Sequence, residues 1–115
     1  MRKSILVIED ATLILDVLRV MFEKMGHEVR TAGDPVQGID DALAGEFDFI
    51  VTDARMLRRS GAEVTEQVLA RRPGARVVVI TTIPDDPLVA CALQAGAVGV
   101  LEEPFDPAKA RDLIG

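Results

Sequence analysis

Residues 5–10 read ILVIED and residues 47–53 read FDFIVTD, two short apolar runs that each end in an acid. Two further runs have the same character: RVVVITT at residues 76–82 and AVGVLEE at residues 97–103. A run that is apolar at nearly every position is typical of a strand buried on both faces of a parallel sheet. We therefore predict strands over residues 5–8, 47–52, 76–81 and 97–101, with a weaker candidate over residues 28–32.

The segments between these runs follow a helical period. Apolar residues recur at spacings of three and four between residues 13 and 25, which predicts an amphipathic helix that Gly26 ends. Three later helices are predicted to begin at an Asp-Pro pair, at residues 34–35, 86–87 and 106–107. There the Asp carboxylate can accept from free N–H groups of the first turn, and Pro has no N–H to leave unpaired. The remaining helix is predicted to open at residues 61–64 and to close at residues 73–74.

Five strands that alternate with five helices predict an α/β fold of the doubly wound, flavodoxin-like type. In the strand order 2-1-3-4-5, the first and third strands are neighbours in one parallel sheet. The length fits a single domain over residues 1–115. The last predicted helix, residues 107–114, is short for a helix that covers a sheet, so we expect either that the natural protein continues or that it was trimmed.

The charge balance argues against two classes of partner. The chain has 13 Lys and Arg residues against 19 Asp and Glu residues, a formal net charge of −6. This excess of acid disfavours nucleic acid and anionic membranes as direct partners. No apolar run approaches the roughly 20 residues that a bilayer-spanning helix needs. A single cysteine cannot form an internal disulfide, which fits the reducing cytoplasm that we predict for this protein.

Polar residues collect where the predicted strands end. Glu9 and Asp10 follow the first strand, Asp53 follows the third, and Thr81 ends the fourth. The carboxyl ends of parallel strands meet at one edge of the sheet, where ligands bind in open α/β folds. Carboxylates this close repel one another and need a cation or a shared proton. Oxygen ligands without His or Cys favour Mg²⁺.

A carboxylate beside a bound Mg²⁺ can act as a nucleophile and form an acyl phosphate. A threonine hydroxyl one strand away can donate a hydrogen bond to the arriving phosphoryl oxygen. The spacing therefore predicts Mg²⁺-assisted phosphoryl chemistry on an aspartate. The alternative is structural: Asp10 could cap the first helix, and Asp53 could cap a turn.

The same residues resemble the receiver domain of response regulators, and the pattern is similar to that of single-domain chemotaxis regulators. The resemblance covers residues 4 to about 114. It rests on the acidic pair after the first strand, the aspartate that ends DFIVTD at residues 48–53, and the threonine that ends VIT at residues 79–81. The final strand after AGA at residues 95–97 and the Pro-Phe turn at residues 104–105 complete it.

The resemblance implies a role for each matching residue. Glu9 and Asp10 would bind Mg²⁺, and Asp53 would accept the phosphoryl group while also contacting the metal. The backbone carbonyl of Arg55 would be a further metal ligand, and Thr81 would hydrogen-bond the phosphoryl oxygen and act as a switch. The phosphoryl group would come from a sensor histidine kinase or a phosphotransfer protein. The domain would not be an enzyme beyond assisting its own phosphorylation and dephosphorylation.

Several positions depart from the family pattern, including Leu57, which stands where the family has a proline after the methionine. Glu103 stands where the family has a lysine that pairs with the acceptor aspartate. At about 4 Å and an effective dielectric near 20, such a charge pair interacts by roughly 4 kcal/mol, here as repulsion. Val100 replaces the usual aromatic switch residue, and Thr82 replaces a small Ala or Gly and narrows the approach to Asp53. Three arginines in the loop at residues 55–59 could supply a cation, or could lie on the solvated surface.

We carry four functional hypotheses. The first is a phosphorylated receiver that changes a partner-binding face formed by its fourth helix, fifth strand and fifth helix, a face that could also form a homodimer. The second is a phosphorylation-independent receiver-like interaction module, motivated by Glu103 and Val100. A haloacid-type phosphohydrolase would need a second Asp where Arg55 stands, and a flavin carrier would need a hydroxyl-rich phosphate loop and a Trp or Tyr. We expect His27 on the surface and Cys91 in the core.

Overall fold

The computed structural model of the protein describes residues 2–115, and strands alternate with helices throughout them. The elements in chain order are β1 (Ser4–Ile8), α1 (Thr12–Lys24), β2 (Glu28–Ala32), α2 (Pro35–Ala44), β3 (Phe49–Asp53), α3 (Gly61–Arg71), β4 (Val77–Thr81), α4 (Pro87–Ala95), β5 (Gly99–Glu102) and α5 (Pro107–Ile114). All neighbouring strands pair in parallel, in the order β2-β1-β3-β4-β5. The predicted fold class and strand order are confirmed.

The three Asp-Pro helix starts are confirmed as side-chain caps. The carboxylates accept hydrogen bonds from the N–H groups of Val36, Leu88 and Ala108. The predicted starts of two strands are wrong by two residues, because the residues before them make hydrogen bonds outside the strand ladders. Asp48 bonds the backbone of Ser4, and the Ala97 N–H donates to the Ala92 carbonyl at the end of α4.

The sheet separates two apolar layers. Alternate strand residues such as Leu6 and Val79 pack toward α2, α3 and α4, whereas Ile5 and Ile80 pack toward α1 and α5. Phe22 of α1 is fully buried in the second layer. This alternation explains why the strands are apolar at each position: both faces are covered by helices.

Two predictions about single residues are wrong. His27 is buried, with 5% of its surface exposed, because it precedes β2 and its Nδ1 accepts the Lys3 N–H at 3.0 Å. Cys91 is exposed. Helix α4 is apolar almost all round, so its sequence period does not show which face is buried, and Ala92 occupies that face.

Candidate functional site

A cavity of about 420 Å³ opens at the carboxyl edge of the sheet, where β1, β3, β4 and β5 end. Its lining contains seven of the eight residues that the sequence singled out for metal binding, phosphoryl acceptance or an atypical pocket position. The lining residues are Glu9, Asp10, Ala11, Ile14, Asp53, Arg55, Thr81, Thr82, Ile83, Asp86 and Glu103. The chain thus brings residues from four separate segments to one place, because parallel strands end at the same edge.

Glu9 is the most buried acid of the cavity, with 2% of its surface exposed. Its backbone N–H donates to the Ala32 carbonyl at 3.0 Å, which fixes the residue directly after β1. Burial, followed by a hydrogen bond with Asp53 and the negative charges of Asp53 and Asp10, raises the pKa of the Glu9 carboxyl to about 9. Its Oε2 atom has no hydrogen-bond partner within residues 2–115.

Asp10 and Asp53 each accept a backbone hydrogen bond from the loop after β3. The Leu57 N–H donates to Asp10 Oδ2 at 2.9 Å, and the Arg55 N–H donates to Asp53 Oδ1 at 3.1 Å. The alternative that Asp10 caps α1 is wrong, since Ala11 is the N-cap residue and makes no side-chain cap. Asp53 does close a turn, as the structural alternative expected, and it also ends β3 inside the cavity.

Thr81 and Thr82 differ in their surroundings although both line the cavity. Thr81 is buried at the end of β4, and its hydroxyl donates to the Ile83 carbonyl at 2.9 Å. Thr82 is exposed and also lines the cavity. A phosphoryl group on Asp53 could therefore draw the Thr81 hydroxyl only if that hydroxyl releases Ile83.

Glu103 reaches the cavity because its N–H donates to the Thr81 carbonyl at 2.9 Å, one residue past the end of β5. No Lys or Arg side chain in residues 2–115 forms an ion pair with it. Val100, in contrast, is half-buried in β5 and packs against the apolar layer under α2, α3 and α4. Val100 therefore lies outside the cavity lining in the described part of the chain.

The three loop arginines have different partners. Arg55 makes a two-pronged ion pair with Asp86, with Nε and Nη2 each 3.0 Å from a carboxylate oxygen. This pairing raises the pKa of Arg55 and lowers that of Asp86. Arg58 pairs with Asp34 at 3.1 Å, outside the cavity, and Arg59 donates to the carbonyl of Arg58. Arg55 is thus the loop arginine that lines the cavity.

The donor set of the cavity fits a hard, oxygen-preferring cation. Glu9, Asp10 and Asp53 offer carboxylate oxygens, and the buried Glu9 Oε2 lacks a partner. No three His, Cys, Asp or Glu side chains in residues 2–115 are arranged to hold a metal ion by themselves. This is compatible with Mg²⁺, which keeps several waters and uses few protein ligands.

A family model described as the response regulator receiver domain matches residues 5–114. The chain belongs to that family. Receiver domains are signalling modules of two-component systems, and the resemblance noted in the sequence is confirmed. None of the helices in residues 2–115 of this receiver domain is long and apolar enough to cross a membrane.

Individual relatives agree with the family match. The transcriptional regulatory protein PdtaR of Mycobacterium tuberculosis is 33% identical over 104 residues, which cover 90% of this receiver domain and 50% of PdtaR. The chemotaxis protein CheY of Halobacterium salinarum is 25% identical over 114 residues, which cover 99% of this chain and 95% of CheY. The chain therefore spans about half the length of PdtaR and nearly all of that CheY.

A solved structure matches over the whole receiver fold. It is the receiver domain of the sensor histidine kinase PA1611 from Pseudomonas aeruginosa, described with a magnesium ion coordinated in its active site cleft. Its TM-score is 0.89, its sequence identity is 23%, and the match covers 99% of this chain and 95% of that one. At this identity the comparison establishes the shared fold.

Sequence reasoning missed one charged residue of the site, Asp86, as well as the apolar lining residues Ala11, Ile14 and Ile83. The Asp-Pro pair identified Asp86 correctly as the cap of α4, but not as the partner of Arg55 in the cavity. The two residues are 31 positions apart, on loops after different strands, so no local pattern connects them. A single buried acid at a strand-to-helix junction would have been the only available signal.

Proposed function

We propose that this receiver domain accepts a phosphoryl group on Asp53 and thereby changes the surface that its partners bind. The observation that carries the proposal is the common cavity of the acceptor and its neighbours at the carboxyl edge of the sheet. Glu9, Asp10 and Asp53 would bind Mg²⁺ with their carboxylates. The backbone carbonyl of Arg55 would complete the protein ligands.

The reaction moves a phosphoryl group from a phosphohistidine of a sensor kinase or phosphotransfer protein. A carboxylate oxygen of Asp53 attacks phosphorus, a P–O bond forms, and the bond from phosphorus to the donor nitrogen breaks with its electron pair left on nitrogen. Bound Mg²⁺ would supply charge stabilisation for the phosphoryl oxygens. The acids of the cavity would hold the ion, and the loop N–H of Arg55 donates to the Asp53 carboxylate and so helps to orient it.

Thr81 would couple phosphorylation of Asp53 to a structural change in the loop between β4 and α4. Its hydroxyl exchanges the Ile83 carbonyl for a phosphoryl oxygen, because a charged acceptor makes the stronger hydrogen bond. The loop between β4 and α4 then loses one of its internal bonds. The change would reach the face formed by α4, β5 and α5, where Leu93 of α4 is exposed.

That face is where we place the downstream partner, by the resemblance to receivers. A second copy of the chain is the other occupant, and light scattering with and without beryllofluoride separates the two. The acidic composition and the single cysteine are our grounds for a cytoplasmic partner protein rather than nucleic acid or a membrane.

Glu103 supports a second candidate function, a receiver-like interaction module that works without phosphorylation. The family's lysine is absent from this position, and the glutamate adds negative charge to an acidic cavity. In such a protein the fixed surface would be read by partners. Partner binding would then be unchanged by Asp53→Asn.

Acetyl phosphate with Mg²⁺ tests the two candidates by intact-protein mass spectrometry. We expect one phosphoryl adduct on the natural sequence and none on Asp53→Asn. The matched control is Asp48→Asn, since Asp48 precedes the same strand at the opposite edge of the sheet and contacts Ser4. An adduct on Asp48→Asn but not on Asp53→Asn supports the receiver. No adduct on the natural sequence, beside a receiver that is labelled in parallel, would overturn it in favour of the module.

A further inference from the structure

The proposed phosphoryl site contains many acids and one cation. Five carboxylates line the cavity, and within the described residues Arg55 is the only positively charged side chain among the lining residues. A phosphoryl group on Asp53 carries about −1.5 to −2 charges at neutral pH, in place of the single negative charge of the free carboxylate. The cavity contains four other carboxylates, so a cation in addition to the metal would stabilise such a group, and Glu103 cannot provide that cation.

Arg55 forms hydrogen bonds with two acids of the cavity, Asp53 and Asp86. Its backbone N–H donates to Asp53 Oδ1 at 3.1 Å, so the start of its side chain lies next to the acceptor. Its guanidinium points to Asp86, with two contacts of 3.0 Å. The Arg55 side chain is 55% exposed, which leaves room for rotation, whereas the Asp86 side chain is 1% exposed.

The carboxylate of Asp86 accepts hydrogen bonds from two residues, Leu88 and Arg55. Its Oδ1 accepts the Leu88 N–H at 2.9 Å, which caps α4, and also accepts Arg55 Nη2. Its Oδ2 accepts Arg55 Nε. The arginine beside the acceptor is therefore bonded to the residue that holds the first turn of α4.

We propose that Arg55 binds the phosphoryl group on Asp53 and leaves Asp86 to do so, which releases the cap of α4. This inference rests on the proposed phosphorylation of Asp53. A guanidinium binds phosphate oxygens in a two-pronged manner, as it binds carboxylates, and a phosphoryl group carries more charge than a carboxylate. The phosphoryl group therefore competes with Asp86 for the same donors.

The departure of Arg55 changes α4 directly. Asp86 Oδ2 would then lack a donor in a place that water hardly reaches, and a buried carboxylate without a partner is unfavourable. The Asp86 side chain must turn outward or the first turn of α4 must shift. This linkage reaches α4 without the lysine that Glu103 replaces and without an aromatic ring at Val100.

The competing explanation is that the Arg55–Asp86 pair only braces the loop. If so, changing either partner removes the same stabilising ion pair. Arg55→Gln and Asp86→Asn would then alter ligand binding in the same direction. Our inference predicts opposite directions. Asp86→Asn frees the guanidinium for the phosphoryl group, while Arg55→Gln removes it.

The test is calorimetric titration of the 115-residue chain with beryllofluoride at saturating Mg²⁺. Beryllofluoride mimics the acyl phosphate on an aspartate and needs no kinase. We expect Arg55→Gln to weaken binding at least tenfold and Asp86→Asn to tighten it about threefold or more. Arg55→Lys keeps the charge and is expected to fall between the natural sequence and Arg55→Gln, which provides a second variant if the first folds poorly.

The chain offers a matched control pair in the same loop. Arg58 pairs with Asp34, which caps α2 through the Val36 N–H just as Asp86 caps α4. This pair does not line the cavity. Arg58→Gln and Asp34→Asn should both leave beryllofluoride affinity within twofold.

Amide NMR gives an independent readout. The Leu88 amide, which donates to Asp86, should shift on beryllofluoride binding in the natural sequence and stay fixed in Arg55→Gln, while the Val36 amide stays fixed in both. Weaker binding in both Arg55→Gln and Asp86→Asn, with a static Leu88 amide, would overturn the inference alone. Absence of binding in the natural sequence and in Asp86→Asn would overturn the proposed function itself.

Discussion

The hydroxyl of Thr81 is bonded to the backbone of Ile83 in both directions: it donates to the Ile83 carbonyl at 2.9 Å and accepts the Ile83 N–H at 3.1 Å. The side chain that would follow the phosphoryl group is therefore part of the loop between β4 and α4 in the present state. Its switching requires that the hydrogen bond it donates to the Ile83 carbonyl be exchanged for a bond to a charged phosphoryl oxygen.

Thr81→Ala should lower the free energy of unfolding by about 1–2 kcal/mol, because each lost hydrogen bond of a buried group contributes about 1 kcal/mol. Thr81 is buried, whereas its neighbour Thr82 is exposed and makes no recorded side-chain bond in the described residues. Thr82→Ala should change the free energy by less than about 0.5 kcal/mol. Urea denaturation measures both values, and equal losses in the two variants would contradict the bonded role of Thr81.

His27 gives the free energy of unfolding a pH dependence that is separate from that of the acidic cavity. Burial, reinforced by nearby positive charge that includes Lys3, lowers the pKa of the His27 imidazole below 6.5. Its Nδ1 accepts the Lys3 N–H and Nε2 has no partner within residues 2–115, so the neutral ring is the folded form. The unfolded chain thus binds a proton more readily than the folded chain.

The stability that His27 contributes is present above pH 6.5 and is lost as the pH falls through the window between 6.5 and the lower folded pKa. Within that window the free energy of unfolding falls by less than about 1.4 kcal/mol per pH unit, which is the limit for one proton. Urea unfolding from pH 8 to pH 5 should show this slope in the natural sequence and a shallower one in His27→Gln, whose amide oxygen can still accept from Lys3. Parallel curves would show that His27 is not held neutral.

The fold was predictable because its signals are local. The apolar runs mark strands covered on both faces, and the Asp-Pro pairs mark helix starts, so both kinds of element follow from a few adjacent residues. The acids at the ends of β1 and β3 were assigned to one edge by topology alone, and the structure brings them to one cavity.

The errors and omissions concern contacts between distant segments. His27 follows a glycine turn, so the sequence suggests that it is exposed. In the structure it is buried, and its Nδ1 accepts the Lys3 N–H. Cys91 lies on a helix whose apolar residues surround the axis, so its face depends on packing. The Arg55–Asp86 pair joins loops after β3 and β4, and only the register of the two strands brings those loops together.

Glu9 gives a prediction for metal removal. In EDTA, Glu9→Gln should be more stable than the natural sequence at pH 7.5, because the Glu9 carboxyl, whose pKa is raised to about 9, must take up a proton on folding at this pH, and an amide avoids that cost. With Mg²⁺ the order should reverse. A ligand present at 100 times its dissociation constant stabilises the folded state by about 2.7 kcal/mol, and the variant would lose most of this gain.

Thermal melting with and without Mg²⁺ measures this reversal. Glu66→Gln is a suitable control, since Glu66 is exposed on α3 and lies outside the cavity lining. It should keep the Mg²⁺ response of the natural sequence. A Glu9→Gln protein that still gains the full Mg²⁺ stabilisation would exclude Glu9 as a metal ligand.

Glu103 is expected to limit phosphoryl binding, and Glu103→Lys should raise beryllofluoride affinity about tenfold, equivalent to about 1.4 kcal/mol. The change removes one negative charge from the cavity and adds a cation beside Asp53. Glu102→Lys alters the net charge equally, but Glu102 ends β5 outside this cavity, so its effect should stay within twofold. Equal gains in both variants would indicate a general charge effect.

The double variant Glu103→Lys with Arg55→Gln separates the two cations. If Arg55 supplies the charge that the family's lysine supplies elsewhere, the new lysine should restore most of the affinity lost in Arg55→Gln, because both would act on the same phosphoryl oxygens. The Leu88 amide should nevertheless stay fixed on ligand binding, since the bond from Arg55 to Asp86 is already absent. Restored affinity together with a moving Leu88 amide would assign the link to α4 to a residue other than Arg55.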